Sequence, residues 1–179
     1  MPYAMIAFIC AALVLRFATL AVSIRNERRM KASGAKEYGA ANTLILALLH
    51  VLFYISAIVE WSLGPKGAFS SLQYAGLALY LFGALMLILV IRNLERFWTV
   101  KIIIAPDHQL VTRGLFKWVR HPNYFLNILP ELIGFALALG ASRTLVFGLP
   151  IYLVSLILRI RQEENTMREA FQNYGKSCS

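Results

Sequence analysis

The stretch Leu110–Phe125 reads L-V-T-R-G-L-F-K-W-V-R-H-P-N-Y-F and sets Arg113, Lys117, Arg120 and His121 into a chain that is otherwise mostly apolar. Guanidinium and ammonium groups can hold an anion, and an imidazole can move a proton near neutral pH. Pro122 fixes its own φ and steers His121 away from the α region, which predicts a turn or helix start at 121–122. An apolar run begins at Tyr124, so the cationic cluster sits at the mouth of a helix. The free N–H groups there also favour anions. A second polar block, Arg159 with Glu163 and Glu164, follows another apolar run. Arg159 and Glu163 are four residues apart and share a helical face. Three further ionisable residues, Arg16, His50 and Glu131, interrupt apolar runs, where such groups are candidates for function. His50 is a candidate for the substrate pocket. Glu131, on one face with Asn127, either lines an acceptor pocket or pairs with Arg16. Cys10 and Cys178 offer neither a disulfide framework nor metal-ligand spacing, and no metal site is predicted.

The elements that must position these residues are membrane helices. The chain has 179 residues, of which 59% are hydrophobic and 15% charged. Soluble domains carry roughly a quarter charged residues. Five apolar spans are predicted: Tyr3–Ile24, Thr43–Leu63, Leu72–Ile91, Tyr124–Leu139 and Thr144–Ile160. Each except the fourth and fifth is long enough to cross a core of ~30 Å without strain. The last two, joined by a tight turn at 140–143, form an antiparallel hairpin, with Pro150 as a kink. The N-terminus lacks a basic region and a cleavage site and reads as the first span. Gly76, Gly83 and their alanine neighbours offer small faces for helix packing. Residues 25–41 read as a polar loop, Val100–Ala105 as a short β-prone piece, and Pro106-Asp107-His108 as a turn. Trp98, Phe116 and Trp118 suit an interfacial belt. Arg161–Tyr174 reads as a polar cytoplasmic helix, with Phe171 and Tyr174 at the interface. The expected fold is thus all-α, in one domain, with spans one to three in residues 1–91 and the catalytic part in residues 92–179.

Charge sets the orientation. The net charge is +9. In a membrane chain this reflects cytoplasmic flanks, not nucleic-acid binding. Lysine and arginine number five in 25–41, six in 92–120 and four from Arg159 onward, against single residues, Lys66 and Arg143, in the alternate loops. Five spans with the N-terminus outside and the C-terminus cytoplasmic satisfy the positive-inside rule. Both polar blocks then lie on the cytoplasmic side.

The pattern V-T-x-G-x-F-x-x-V-R-H-P-x-Y over Val111–Tyr124, followed by R-x-x-x-E-E over Arg159–Glu164, resembles the isoprenylcysteine carboxyl methyltransferase family of integral-membrane methyltransferases. Arg96-Phe97-Trp98-Thr99-Val100-Lys101 is similar to the bacterial branch of that family, and the resemblance runs over about residues 92–174. It implies an enzyme of the bacterial inner membrane that uses S-adenosylmethionine to methylate a lipid-like acceptor. The acceptor is an isoprenylcysteine carboxylate or the hydroxyl of a phenolic or alkylpyrone lipid. Arg120, His121, Pro122, Asn123, Tyr124 and Glu164 would hold the cofactor. Arg159, Glu163 and Glu131 would act in catalysis, with His50 on the substrate. The expected partners are this acceptor and membrane lipids, with no obligate protein partner. The residues alone would equally suit a nucleotide; the alternatives are phospholipid N-methylation, an NADPH-binding membrane sterol reductase, whose C-terminal region is related, and a small non-catalytic membrane protein or transporter. A soluble methyltransferase fold is excluded, since the chain has neither alternating strands and helices nor a G-x-G-x-x-G turn.

Overall fold

The computed structural model describes residues 2–65, 67–104, 114–117, 119 and 121–170. Five helices dominate: α1 (Pro2–Ala32), α2 (Ala40–Leu63), α3 (Ser71–Leu94), α4 (Leu129–Leu139) and α5 (Leu149–Ala170). Four apolar stretches, Tyr3–Ala32, Ala40–Leu63, Ser71–Phe97 and Thr144–Glu169, are long enough to cross a bilayer. The fourth in chain order, Asn123–Leu139, is a shorter apolar helix. The architecture is therefore an all-α integral-membrane protein, as expected, with four full-length spans and a short one among the described residues.

Two boundaries differ from the sequence reading. Helix α1 continues through Arg25–Ala32, where a loop was expected. No helix breaker occurs before Gly34, which takes φ 87°. Likewise the fifth span and the polar cytoplasmic helix are one continuous helix, α5. Nothing between Ile151 and Ala170 is proline or glycine, so charge alone does not stop the helix. Phe171 and Tyr174, and the turn expected at 106–108, lie outside the described residues.

The prolines act just upstream of themselves. Asn123–Ile128 and Thr144–Gly148 are π-helical, and each ends two residues before a proline, Pro130 and Pro150. A proline removes one helical N–H and its ring presses on the carbonyl four residues earlier. Widening that turn relieves the clash without breaking the helix. The kink expected at Pro150 is this wide turn. At its start the Glu60 carboxylate accepts from Arg143 N (2.9 Å), Thr144 N (2.8 Å) and Thr144 Oγ1 (2.8 Å).

Small residues let α3 and α4 touch backbone to backbone. A Cβ on Gly83 would lie 2.9 Å from Glu131 N and 3.0 Å from Asn127 O. Gly76 meets Leu137 and Ala138, and Gly134 meets Tyr80. Such contacts hold helices together in lipid, where apolar burial alone drives little association. The core between α2, α4 and α5 is closed by Phe53, Tyr54, Leu132, Phe135, Tyr152 and Leu156, all buried.

A strap crosses one end of the helices. The β-prone piece forms β2 (Ile102–Ile104), and it pairs antiparallel with β1 (Lys36–Tyr38), a strand inside the region read as loop; Glu37 faces Ile103. Lys31 and Lys101 both contact Glu27 and Glu37, at distances from 2.5 to 3.3 Å, and clasp β1 and β2 to the end of α1. Asn26 donates to Glu95 O (2.9 Å) and Trp98 O (3.0 Å), and Ser23 Oγ accepts from Val100 N (3.0 Å). Trp98, expected at the interface, is instead buried at 3% exposure with Leu87 and Val90. Trp118 lies outside the described residues, as does the side chain of Phe116.

Candidate active site

Helices α2 and α5 run antiparallel and meet in polar rungs. Arg159 Nη1 donates to Thr43 Oγ1 at 2.6 Å. His50 Nδ1 lies 3.4 Å from Tyr152 Oη, and Ser56 Oγ lies 3.0 Å from Thr144 Oγ1. Thr43 to His50 and Arg159 to Tyr152 are each seven residues, or two turns. At 1.5 Å per residue the His50 rung therefore lies about 10.5 Å deeper than the Arg159 rung.

Between these rungs, α1 and the strap lies a cavity of about 570 Å³. One end of it is walled by His121, Pro122, Asn123, Tyr124, Arg159 and Glu163. The two polar blocks of the sequence, some forty residues apart, thus meet on one surface. Arg159 is only 2% exposed, and its Nη2 donates to Val100 O at 2.9 Å. The strap and α2 therefore fix this guanidinium in place. Tyr124 Oη donates to Glu163 Oε2 at 2.5 Å. His121 Nδ1 lies 3.8 Å from Glu163 Oε1, and its Nε2 lies 3.3 Å from Glu164 Oε1. Burial opposes the imidazolium, but the hydrogen bonds and charges of Glu163 and Glu164 outweigh it and raise the His121 pKa above the usual histidine value.

The other expected residues take different places. His50 lines the same cavity at its deep end. Glu164 stands behind His121 and also meets Arg168 at 3.6 Å. Glu131 is fully buried and lies behind the wall. It binds the guanidinium of Arg16 and accepts from Tyr54 Oη, and those two residues line the cavity. With its amide turned to satisfy its neighbours, Asn127 donates to Glu131 Oε2 (3.0 Å) and Gly83 O (3.2 Å). Arg120 lies outside the described residues.

Three contributors were not among the expected site residues. Thr43 and the Val100 carbonyl hold Arg159, and Trp98 lines the cavity with a buried indole N–H that has no hydrogen-bond partner in the structure. A threonine at a span boundary and a backbone carbonyl carry no sequence signal. The Trp98 signal was its place in the Arg96–Lys101 segment, three residues before the lysine that clasps the strap.

The cavity also reaches the lipid-facing surface. Phe17, Val51 and Ile55 line it and are 68%, 53% and 51% exposed, along the seam between α1 and α2.

A cavity with a charged end and an apolar opening, set among helices long and apolar enough to cross a bilayer, defines a class: an integral-membrane protein with an internal polar site. The comparisons narrow it. Residues 76–169 match the model of the isoprenylcysteine carboxyl methyltransferase (ICMT) family, and the chain belongs to that family of membrane methyltransferases. It is 48% identical over 166 residues to an uncharacterized protein of Haemophilus influenzae, covering 93% of this chain and 95% of the relative. It is 32% identical over 162 residues to the uncharacterized protein YpbQ of Bacillus subtilis, covering 88% and 92%. No solved structure matches.

Proposed function

We propose that the protein is an S-adenosylmethionine-dependent O-methyltransferase acting on a single-chain lipid with one oxygen nucleophile at its head, an isoprenylcysteine-like carboxylate or a phenolic or enolic hydroxyl. The observation that carries this reading is the shared wall: His121–Tyr124 and Arg159–Glu163 border one cavity that opens to lipid between α1 and α2.

The residues present fit the cofactor. It is a zwitterion with a carboxylate, an amine, ribose hydroxyls and an adenine, and it supplies an electrophilic methyl on a sulfonium. The Glu163–His121–Glu164 chain offers carboxylates to the amine or ribose. Cofactor contacts fall to His121, Pro122, Asn123, Tyr124 and Glu164, with Arg120 as the family pattern implies.

Arg159 then holds the acceptor oxygen. Its two protein hydrogen bonds aim it into the cavity and spare it the entropy of finding that pose during reaction. A carboxylate acceptor needs only this cation. For a hydroxyl acceptor Glu163 takes the proton, and His121 beside it passes charge toward Glu164 at the cytoplasmic edge. The role of Glu131 is to hold Arg16 and Tyr54 in the wall, not to touch the acceptor. The acceptor chain enters from the bilayer, the cofactor from the cytoplasm. Membrane lipids are the only other partners this scheme needs.

Calorimetry of the purified protein with S-adenosylhomocysteine and, separately, NADPH tests the cofactor. Binding of the first alone is expected; binding of NADPH alone overturns the reading. Labelled cofactor offered with an alkylpyrone, a prenylcysteine or phosphatidylethanolamine tests the acceptor. Label confined to the phosphatidylethanolamine nitrogen would exclude O-methylation.

A further inference from the structure

Helix α1 runs on past its apolar part, and its outward face changes character in one step. Thr19, Ser23, Asn26 and Met30 are buried. They recur at intervals of three and four, so they form one inward face. The opposite face carries Val14, Phe17, Ala21 and Ile24, all exposed, and then Arg25, Arg28 and Arg29, also exposed. At 1.5 Å per residue, Phe17 lies about 16.5 Å deeper than Arg28. That is close to one leaflet, half of a hydrocarbon core of ~30 Å. An apolar stripe one leaflet long, capped by guanidinium groups, follows a phospholipid in the order of its parts and in length.

The arginines have no carboxylate to answer them. Glu27 and Glu37, the nearest in sequence, are both taken by Lys31 and Lys101 in the clasp. Two carboxylates meet two ammonium groups there, so the clasp is neutral by itself. Among the described residues Arg25, Arg28 and Arg29 enter no ion pair or hydrogen bond. The helix dipole favours cations within the last turn only. That turn holds Arg29 and Lys31 but neither Arg25 nor Arg28. The clasp uses lysine and the outward face uses arginine, whose planar fork holds two phosphate oxygens at once, as an ammonium cannot. We infer that this face of α1 is a binding site for the phosphate headgroup of an anionic phospholipid, whose chains lie along Ile24, Ala21 and Phe17. A free phosphate or a nucleic acid would meet the arginines but not the stripe beneath them. Phe17 also lines the cavity, so the bound lipid stands beside the seam between α1 and α2. The site needs neither the methyl donor nor the acceptor of the proposed function.

The test is native mass spectrometry of the purified full chain in detergent, titrated with phosphatidylglycerol and with phosphatidylcholine of the same chains. Phosphatidylglycerol is expected to bind about fivefold or more tightly, the equivalent of about 1 kcal/mol for one engaged arginine. The triple variant Arg25→Gln/Arg28→Gln/Arg29→Gln should lose that preference, and Arg28→Gln alone should weaken it. Arg25→Lys/Arg28→Lys/Arg29→Lys should keep part of it. Arg143→Gln, beside Glu60 at the other end of the helices, should keep all of it. Thermal melting reports that each variant is folded, and the single and lysine variants decide the matter if the triple glutamine variant is not. Equal binding of the two lipids by the wild type overturns the inference. So does a preference that survives the triple glutamine variant, or one that Arg143→Gln removes as well. Displacement of the lipid by an equal concentration of glycerol phosphate would show that the arginines hold a soluble anion, and would overturn the lipid as ligand.

Discussion

The ion pair between Arg16 of α1 and Glu131 of α4, with Tyr54 of α2 as a third member, ties three helices together inside the membrane. Its energetics can be worked out in advance. Removing one member of a buried pair leaves an uncompensated charge and costs about 3–5 kcal/mol. Insertion measurements place an isolated charge at mid-helix nearer 2.5–3.5 kcal/mol, because arginine reaches toward water. The Arg16 side chain is 23% exposed while that of Glu131 is 1% exposed, so the lower figure applies when Glu131 is removed. Glu131→Gln is therefore expected to cost about 3 kcal/mol, roughly a 150-fold shift in the folding equilibrium. Arg16→Met strands the fully buried carboxylate and should cost at least as much. The double variant Arg16→Met/Glu131→Leu should recover most of the loss, since well-packed apolar replacements of buried pairs are often neutral. Tyr54→Phe should cost about 1 kcal/mol. Equilibrium unfolding in bicelles, read as a double-mutant cycle, gives the coupling directly. Single costs that simply add in the double variant would refute the pairing argument. So would a loss under 1 kcal/mol for Glu131→Gln.

Four other outcomes are expected. Gly83→Ala should destabilise by about 1–3 kcal/mol through overpacking, because the added Cβ meets backbone atoms of α4, whereas Gly67→Ala, with nothing within 4 Å, should be near neutral; comparing the two melts checks this. His121 has a raised pKa in the folded state. Its stabilising effect should be complete below about pH 6.5 and disappear as pH rises through the folded value, seen as a closing gap between the melting curves of wild type and His121→Gln. Glu37 runs the other way. Its pKa is lowered, chiefly by the Lys31 hydrogen bond, so the clasp should hold above the ordinary carboxylate range and loosen as pH falls through the depressed value, which hydrogen exchange of the strap will register. For orientation, a C-terminal reporter active only in the cytoplasm should light up; activity of a periplasmic reporter there would reverse the proposed topology.

The helices were legible because lipid imposes a simple rule: twenty or so apolar residues with internally satisfied backbone. The same rule hid their ends. Beyond the bilayer nothing in Arg25–Ala32 or Arg161–Ala170 breaks a helix, so polarity suggested boundaries that the backbone did not take. Strand β1 was invisible for a different reason. Three residues, Lys36–Tyr38, carry no period, and they become a strand only because Ile102–Ile104 lies alongside.

For the candidate site, charge in an apolar setting pointed to Arg16, His50, Arg159 and Glu163, which line one cavity, but it carried no information about what each does there. Arg159, Glu163, Arg16 and Glu131 look alike in sequence: each is an ionisable residue that must find a partner. The partners differ in kind. Glu131 is met by a guanidinium, a phenol and an amide from three other places in the chain, and no lone pair is left for a ligand. Arg159 is held by a hydroxyl and a backbone carbonyl, both neutral, with the Tyr124 hydroxyl and the Glu163 carboxylate close by. Its charge is positioned but not neutralised by those bonds, and the nearest carboxylate on its own helix face, Glu163, is engaged by Tyr124. A buried cation fixed by neutral acceptors is poised for an anion from outside, whereas a fully paired carboxylate is a structural tie. That distinction depends on which atoms converge from distant parts of the chain. Arg159 and not Glu131 is therefore the residue whose conservative replacement, Arg159→Lys, should impair acceptor use while leaving the fold intact. Equal turnover by Arg159→Lys and the wild type, at matched stability, would return Arg159 to the same structural role as Glu131.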